Sequence, residues 1–165
     1  MWLLNFYSKL EKNLSKLEKI LVTLMMMIMF VSVFIQVLSR FFNLPIPDTS
    51  DISLVSFAMM TFFGTGLLVY TKGHILIEIT SLIKSQKIVF IFDVLSNIAM
   101  LIIGAILLNI GFALLMYFFE NREATMALRI PLAVPFTSLV IGLVLMLVHT
   151  IGNLMVLFNK YKTAN

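Results

Sequence analysis

Polar and apolar positions divide the chain into four long apolar runs separated by short polar ones. Residues 20–39, 52–70, 88–119 and 132–158 are each nearly free of charge, and each is about long enough to cross ~30 Å of hydrocarbon as a helix rising 1.5 Å per residue. The third run exceeds what a bilayer needs, which predicts a tilted or projecting helix. Ahead of the first run, Leu3, Tyr7, Leu10, Leu14 and Leu17 alternate by four and three, the spacing of one apolar stripe on a helix. Lys9, Glu11, Lys12, Lys16 and Lys19 fall off that stripe, and Trp2, Phe6 and Tyr7 add interfacial aromatics. Residues 1–19 therefore read as an amphipathic helix lying on the inner membrane surface against anionic phospholipid head groups. The other reading is a cytosolic extension of the first span, since no Pro or Gly breaks the chain at Lys19. Between spans two and three, Ile75, Leu76, Ile79, Leu82 and Ile83 share a helical face, with His74 and Glu78 near the start. This predicts a second, shorter interfacial helix.

Composition fixes the class. The chain is 61% hydrophobic and 12% charged, with a mean hydropathy of +1.05. A soluble domain of 165 residues needs a more charged surface than that. The expected fold is an all-α integral membrane protein with four transmembrane helices, and residues 159–165 form a cytoplasmic tail. An outer-membrane barrel would show short alternating segments instead. No cysteine is present, which removes disulfides, thiol chemistry and cysteine-ligated metals. No cleavable signal sequence is expected, because the first residues are amphipathic without a short apolar core and cleavage site. The net charge of +4 comes from lysines beside the spans, so topology explains it better than nucleic acid, which is not expected as a partner. With the N-terminus inside, nine lysines lie on the inner side and only Arg40, Arg122 and Arg129 on the outer. That imbalance predicts N-in and C-in termini.

The chemistry-bearing residues are few. An independent transporter usually carries an ionisable group at mid-membrane. Asp93 lies about two turns into span three, and His149 two to three turns from the inner end of span four. Asp93 reads either as functional or as an interfacial carboxylate paired with a residue such as Lys87. His149 reads either as functional or as a neutral imidazole bonded between helices. Gln36, Asn97, Asn109 and Asn153, with Thr61 and Thr65, suit interhelical hydrogen bonding. Gly64, Gly66, Gly104 and Gly111 would permit close helix approach. Asp48 and Asp51 with Arg40, and Glu120, Arg122, Glu123 and Arg129, put mixed charge in the two outer loops. Ion pairs between the loops and a docking surface for a periplasmic protein are both open there. No catalytic residue, substrate site, metal site or cofactor is expected. A membrane enzyme would need more than His74 and Glu78, whose spacing of four suits a helix-surface pair.

Three segments together resemble the small membrane subunit (Q-type, DctQ-like) of tripartite ATP-independent periplasmic (TRAP) transporters. In QVLSRFFNLPIPDTSD, Arg40, Pro47 and Asp51 match the family's span end and acidic loop, while Asp48 stands where Trp is usual and Ser50 replaces the first acid. GTGLLVYTKGHILIEI resembles its glycine-containing span end, basic turn and His-Ile-x-Ile-acid motif. ATMALRIPLAVPFTSLVIG resembles its Ile-Pro entry to span four with a later glycine. The resemblance implies a scaffold in the bacterial inner membrane, forming a heterodimer with a much larger, elevator-like transport subunit. It also implies transient contact with a periplasmic substrate-binding protein, and sodium-coupled uptake of carboxylated solutes such as sialic acids or C4-dicarboxylates. A free-standing four-span cation exporter is the competing reading.

Overall fold

The computed structural model describes the backbone of residues 2–71 and 86–164 and the side chains of 7, 9–71 and 87–159. The described residues form four helices: α1 (Trp2–Phe42), α2 (Ser50–Tyr70), α3 (Gln86–Asn121) and α4 (Ala133–Ala164). All four are long and apolar enough to cross a membrane. The proposed interfacial helix with His74 and Glu78 lies outside the described residues, as does the side chain of Trp2.

Each helix end follows from local chemistry. Asn43 takes the left-handed conformation with φ 51° just past α1, a position at which asparagine is tolerated. The Leu44 amide then donates to the Ser39 carbonyl at 2.9 Å, closing a Schellman cap. Arg122 repeats the left-handed turn after α3 with φ 48°. Pro47 precedes α2, and Pro135 sits in the first turn of α4, where its missing N–H costs nothing.

The helices form an open row. In space the order is α1, α2, α4, α3, with α1 also reaching a short stretch of α4 and, among the described helices, α3 touching α4 alone. α1 runs antiparallel to α2, whereas α2 and α4 run parallel. At one end of the row, the hairpin end, Asp51 meets Ala127 and Leu128. At the other, the terminal end, Asn153 meets Val69. An enclosed bundle would bring α3 back onto α1; here both outer members of the row leave most of their apolar surface uncovered. Lipid-tail and protein surroundings suit leucine equally, so small and polar side chains decide which faces meet.

Glycines set the closest approaches. A Cβ on Gly142 would fall 2.1 Å from the Phe62 carbonyl oxygen, so the backbones of α2 and α4 meet there. Gly104 and Gly111 similarly lie under Met146, Leu147, Leu139 and Leu143 of α4, while Gly64 faces open space.

Of the two readings of the N-terminal stretch, the structure has the continuous one: residues 2–19 run on into the first span, and α1 is one element of 41 residues, roughly 60 Å long, because nothing in it interrupts helical hydrogen bonding. On its leucine stripe Leu10 and Leu17 are exposed, while Tyr7 and Leu14 are half-buried. Leu10 is 41% and Leu17 54% exposed. The inward seam is instead Glu11, Glu18, Met25, Ser32 and Ser39 at sevens, joined by Ser15, Val22, Met29 and Gln36, all buried or half-buried. A repeat of seven keeps one seam facing a neighbouring helix, and on this seam polar groups escape lipid.

Candidate functional site

At the hairpin end the connection 43–49 folds back along α1. The Thr49 amide donates to Gln36 Oε1 at 2.7 Å, and the Thr49 hydroxyl lies 2.8 Å from the same oxygen. Ser32 Oγ donates to the Thr49 carbonyl at 2.8 Å. The Gln36 amide thus braces its own hairpin. An apolar-walled groove of about 320 Å³ opens beside it, lined by Met27, Val31, Ile35 and Ile52 among others, with no ionisable side chain.

Asp51, in the first turn of α2, reaches across to the second loop. Its Oδ2 accepts the amides of Ala127 at 2.9 Å and Leu128 at 2.7 Å. Within that loop the Thr125 amide donates to the Ile130 carbonyl, and the Ile130 amide to Thr125 Oγ1, both at 2.9 Å. Arg129, with φ 55°, makes the turn. The loop is thereby fixed, with Met126 at its tip 99% exposed. Among the described residues, no ion pair joins Arg40, Asp48, Asp51, Arg122 or Arg129; a carboxylate–amide clamp joins the two loops. Asp48 instead accepts the Ser50 amide at 2.8 Å. The Ser50 hydroxyl and amide hold its carboxyl below the usual range, helped slightly by Arg40. Tyr117 donates to Glu123 at 3.0 Å.

The terminal end holds the denser polar cluster. His149 of α4 is fully buried. Its Nδ1 lies 3.1 Å from Glu11 Oε1 and its Nε2 3.3 Å from Glu18 Oε2, both on α1. Tyr7 donates its hydroxyl to the Val148 carbonyl, and the Tyr70 ring covers the imidazole with centroids 5.3 Å apart. Glycines make the room: a Cβ on Gly66 would meet Glu18 Oε1 at 2.4 Å, and one on Gly152 would meet Glu11 Oε1 at 2.8 Å. Glu18 is 1% exposed, and among the described residues its Oε1 has no hydrogen-bond partner. Among the described residues no group of three or more His, Cys, Asp or Glu side chains is arranged to hold a metal ion. The two ring nitrogens of His149 point to opposite carboxylates, so they cannot converge on one cation.

The sequence singled out His149 but missed Glu11, left among the charges off the apolar stripe, and Glu18, which it did not single out at all. The available signal was their separation of seven, in register with Ser32 and Ser39. Among the other expected polar positions, Asn153 Nδ2 donates between helices to the Val69 carbonyl at 3.2 Å. Asn97 donates within its own helix to the Asp93 carbonyl, and Thr61 and Thr65 do likewise to Phe57 and Phe62. Asp93 is half-buried and pairs with no lysine among the described residues, while Asn109 is exposed on α3.

Among the described residues, four long apolar helices in an open row, a clamped hairpin end and a polar knot at the other end mark a small multispan membrane protein. A family model, the DctQ component of tripartite ATP-independent periplasmic transporters, matches residues 29–160. The chain belongs to that family of small TRAP transporter membrane subunits, and so to the transporter components, not to the enzymes. No curated protein matched the chain.

Proposed function

We propose that this chain is the scaffold of a TRAP-type secondary transporter in a bacterial inner membrane. It binds the large transport subunit and supports sodium-coupled uptake of a carboxylated solute, of the sialic acid or C4-dicarboxylate class, delivered by a periplasmic binding protein. The observation that carries this reading is the family match over residues 29–160, set beside an open row whose outer helices α1 and α3 keep their apolar faces free. A moving transport domain needs an immobile frame, and an uncovered apolar helix face within the bilayer is what such a frame offers a partner.

The proposed orientation is N-in, supported by nine lysines against three arginines. In that frame the hairpin end faces outward and carries Arg40, Asp48, Asp51, Arg122 and Arg129 together with the loop that presents Met126. This end supplies the docking surface for the binding protein. Trp2, Leu10, Leu14, Leu17, His74 and Glu78 form the inner interfacial collar against phospholipid.

The test is co-purification of the tagged chain with the large subunit, followed by transport in proteoliposomes. Arg40→Ala and Asp51→Ala are expected to weaken assembly or docking and to leave sodium affinity of the large subunit unchanged. Intact assembly and docking with lost sodium affinity would reject the reading.

A further inference from the structure

We propose that Glu18, His149 and Glu11 form a buried proton-binding site that fastens the terminal half of α1 onto α4. Proton counting requires it. Each ring nitrogen of His149 faces a carboxylate oxygen, at 3.1 Å for Glu11 and 3.3 Å for Glu18. A neutral imidazole has one N–H and one lone pair, so with both acids ionised one nitrogen would set its lone pair against a carboxylate oxygen. One further proton is required to make both contacts hydrogen bonds, and it belongs to the trio as a unit.

The orphan oxygen of Glu18 locates that proton. Among the described residues an ionised Glu18 would bury a charged Oε1 with no donor, a costly state for a side chain only 1% exposed. With the proton on Oε2, Glu18 donates to His149 Nε2 and its Oε1 is an uncharged carbonyl oxygen. His149 then donates from Nδ1 to Glu11, the more exposed acid at 13%, which carries the one remaining negative charge. Release follows the same line: the Glu18 proton passes to Nε2, the Nδ1 proton passes to Glu11, and from there it leaves at the rim.

The groups facing this trio are Tyr7 on α1 and Tyr70 on α2. Tyr7 donates a hydrogen bond to the Val148 carbonyl, and the Tyr70 ring packs against His149 at a tilt of 55°. The lysines at 9, 12, 16 and 19 are exposed, and α3 does not reach the site. Because α1 meets α4 over a short stretch that includes Tyr7, Glu11 and Glu18, losing the proton leaves two acids on one imidazole at the contact that joins the two helices.

Proton linkage gives the sign. Above the ordinary histidine pKa of about 6.5, the unfolded chain keeps none of the trio's extra proton and the folded chain keeps one. Stability therefore falls as pH rises, with the unfolding constant growing about tenfold per pH unit until the folded site itself empties. The decisive comparison uses the full chain in lipid nanodiscs, wild type against Glu18→Gln. Glutamine donates the same hydrogen bond to Nε2 and has no proton to release. The wild type is expected to show the infrared carbonyl band of a buried carboxylic acid at neutral pH and a steep loss of stability from pH 7 to 9. Glu18→Gln should lack that band and lose the steepness, while Glu11→Gln keeps the band. An absent band in the wild type, or identical pH profiles for wild type and Glu18→Gln, would overturn the proposal.

Discussion

Each end of the molecule buries an acid, and the two acids are treated in opposite ways. Asp51 at the hairpin end accepts two backbone amides from a loop more than seventy residues away. Both amides find an acceptor there, and the result is a fixed loop. Glu18 at the terminal end has one oxygen on an imidazole and, among the described residues, no donor for the other. A satisfied acid holds geometry at any pH where it stays ionised. An unsatisfied one is poised between charge states, so its helix contact responds to protons. Donors make the difference: a loop offers free N–H groups, whereas the side of a helix has already used its own.

Three substitutions would break or sharpen this contrast. The largest effect is expected from His149→Ala, which leaves Glu11 and Glu18 facing each other across a void. Breaking a buried charged contact typically costs about 3–5 kcal/mol, measurable as a lowered unfolding midpoint in mild detergent, while the Asp51 clamp keeps its amide protection. Gly142→Ala comes next. Its methyl group would drive into the Phe62 carbonyl where α2 and α4 meet, at a cost of about 1–3 kcal/mol for overpacking. Both ends should loosen together, because they share those helices. Asp51→Ala has the most local effect: the Ala127 and Leu128 amides should exchange roughly five- to tenfold faster, as for loss of one ordinary hydrogen bond, with His149 unaffected. If Asp51→Ala instead disturbed the terminal end, the two ends would not be independent and the contrast would fail.

The sequence reveals the four spans because a run of about twenty apolar residues suits a bilayer crossing and little else. It also reveals the hairpin end in outline, since Arg40, Pro47, Asp51 and the Ile-Pro entry before Ala133 sit in a recognisable order. What it hides is which face of each helix turns inward. In a soluble helix the leucine stripe at 3, 7, 10, 14 and 17 would point to the core. In this row Leu10 and Leu17 point away and Glu11, Ser15 and Glu18 point in, because the surroundings of a membrane helix welcome leucine and repel carboxylate. Reading the polar repeat of seven instead of the apolar stripe recovers the α1 seam. The link from Glu18 to His149 spans 131 positions, so no local pattern could supply it. The clamp is hidden for a different reason: its partners on the second loop are backbone amides, which every residue but proline carries.

The central claim is that this chain braces a transporter and is not one by itself. The most direct test is sodium-driven uptake of a carboxylated solute into vesicles containing the chain alone, the large subunit alone, or both, with the binding protein supplied outside. The account predicts uptake only with both membrane chains present. Uptake by vesicles holding this chain alone would contradict it.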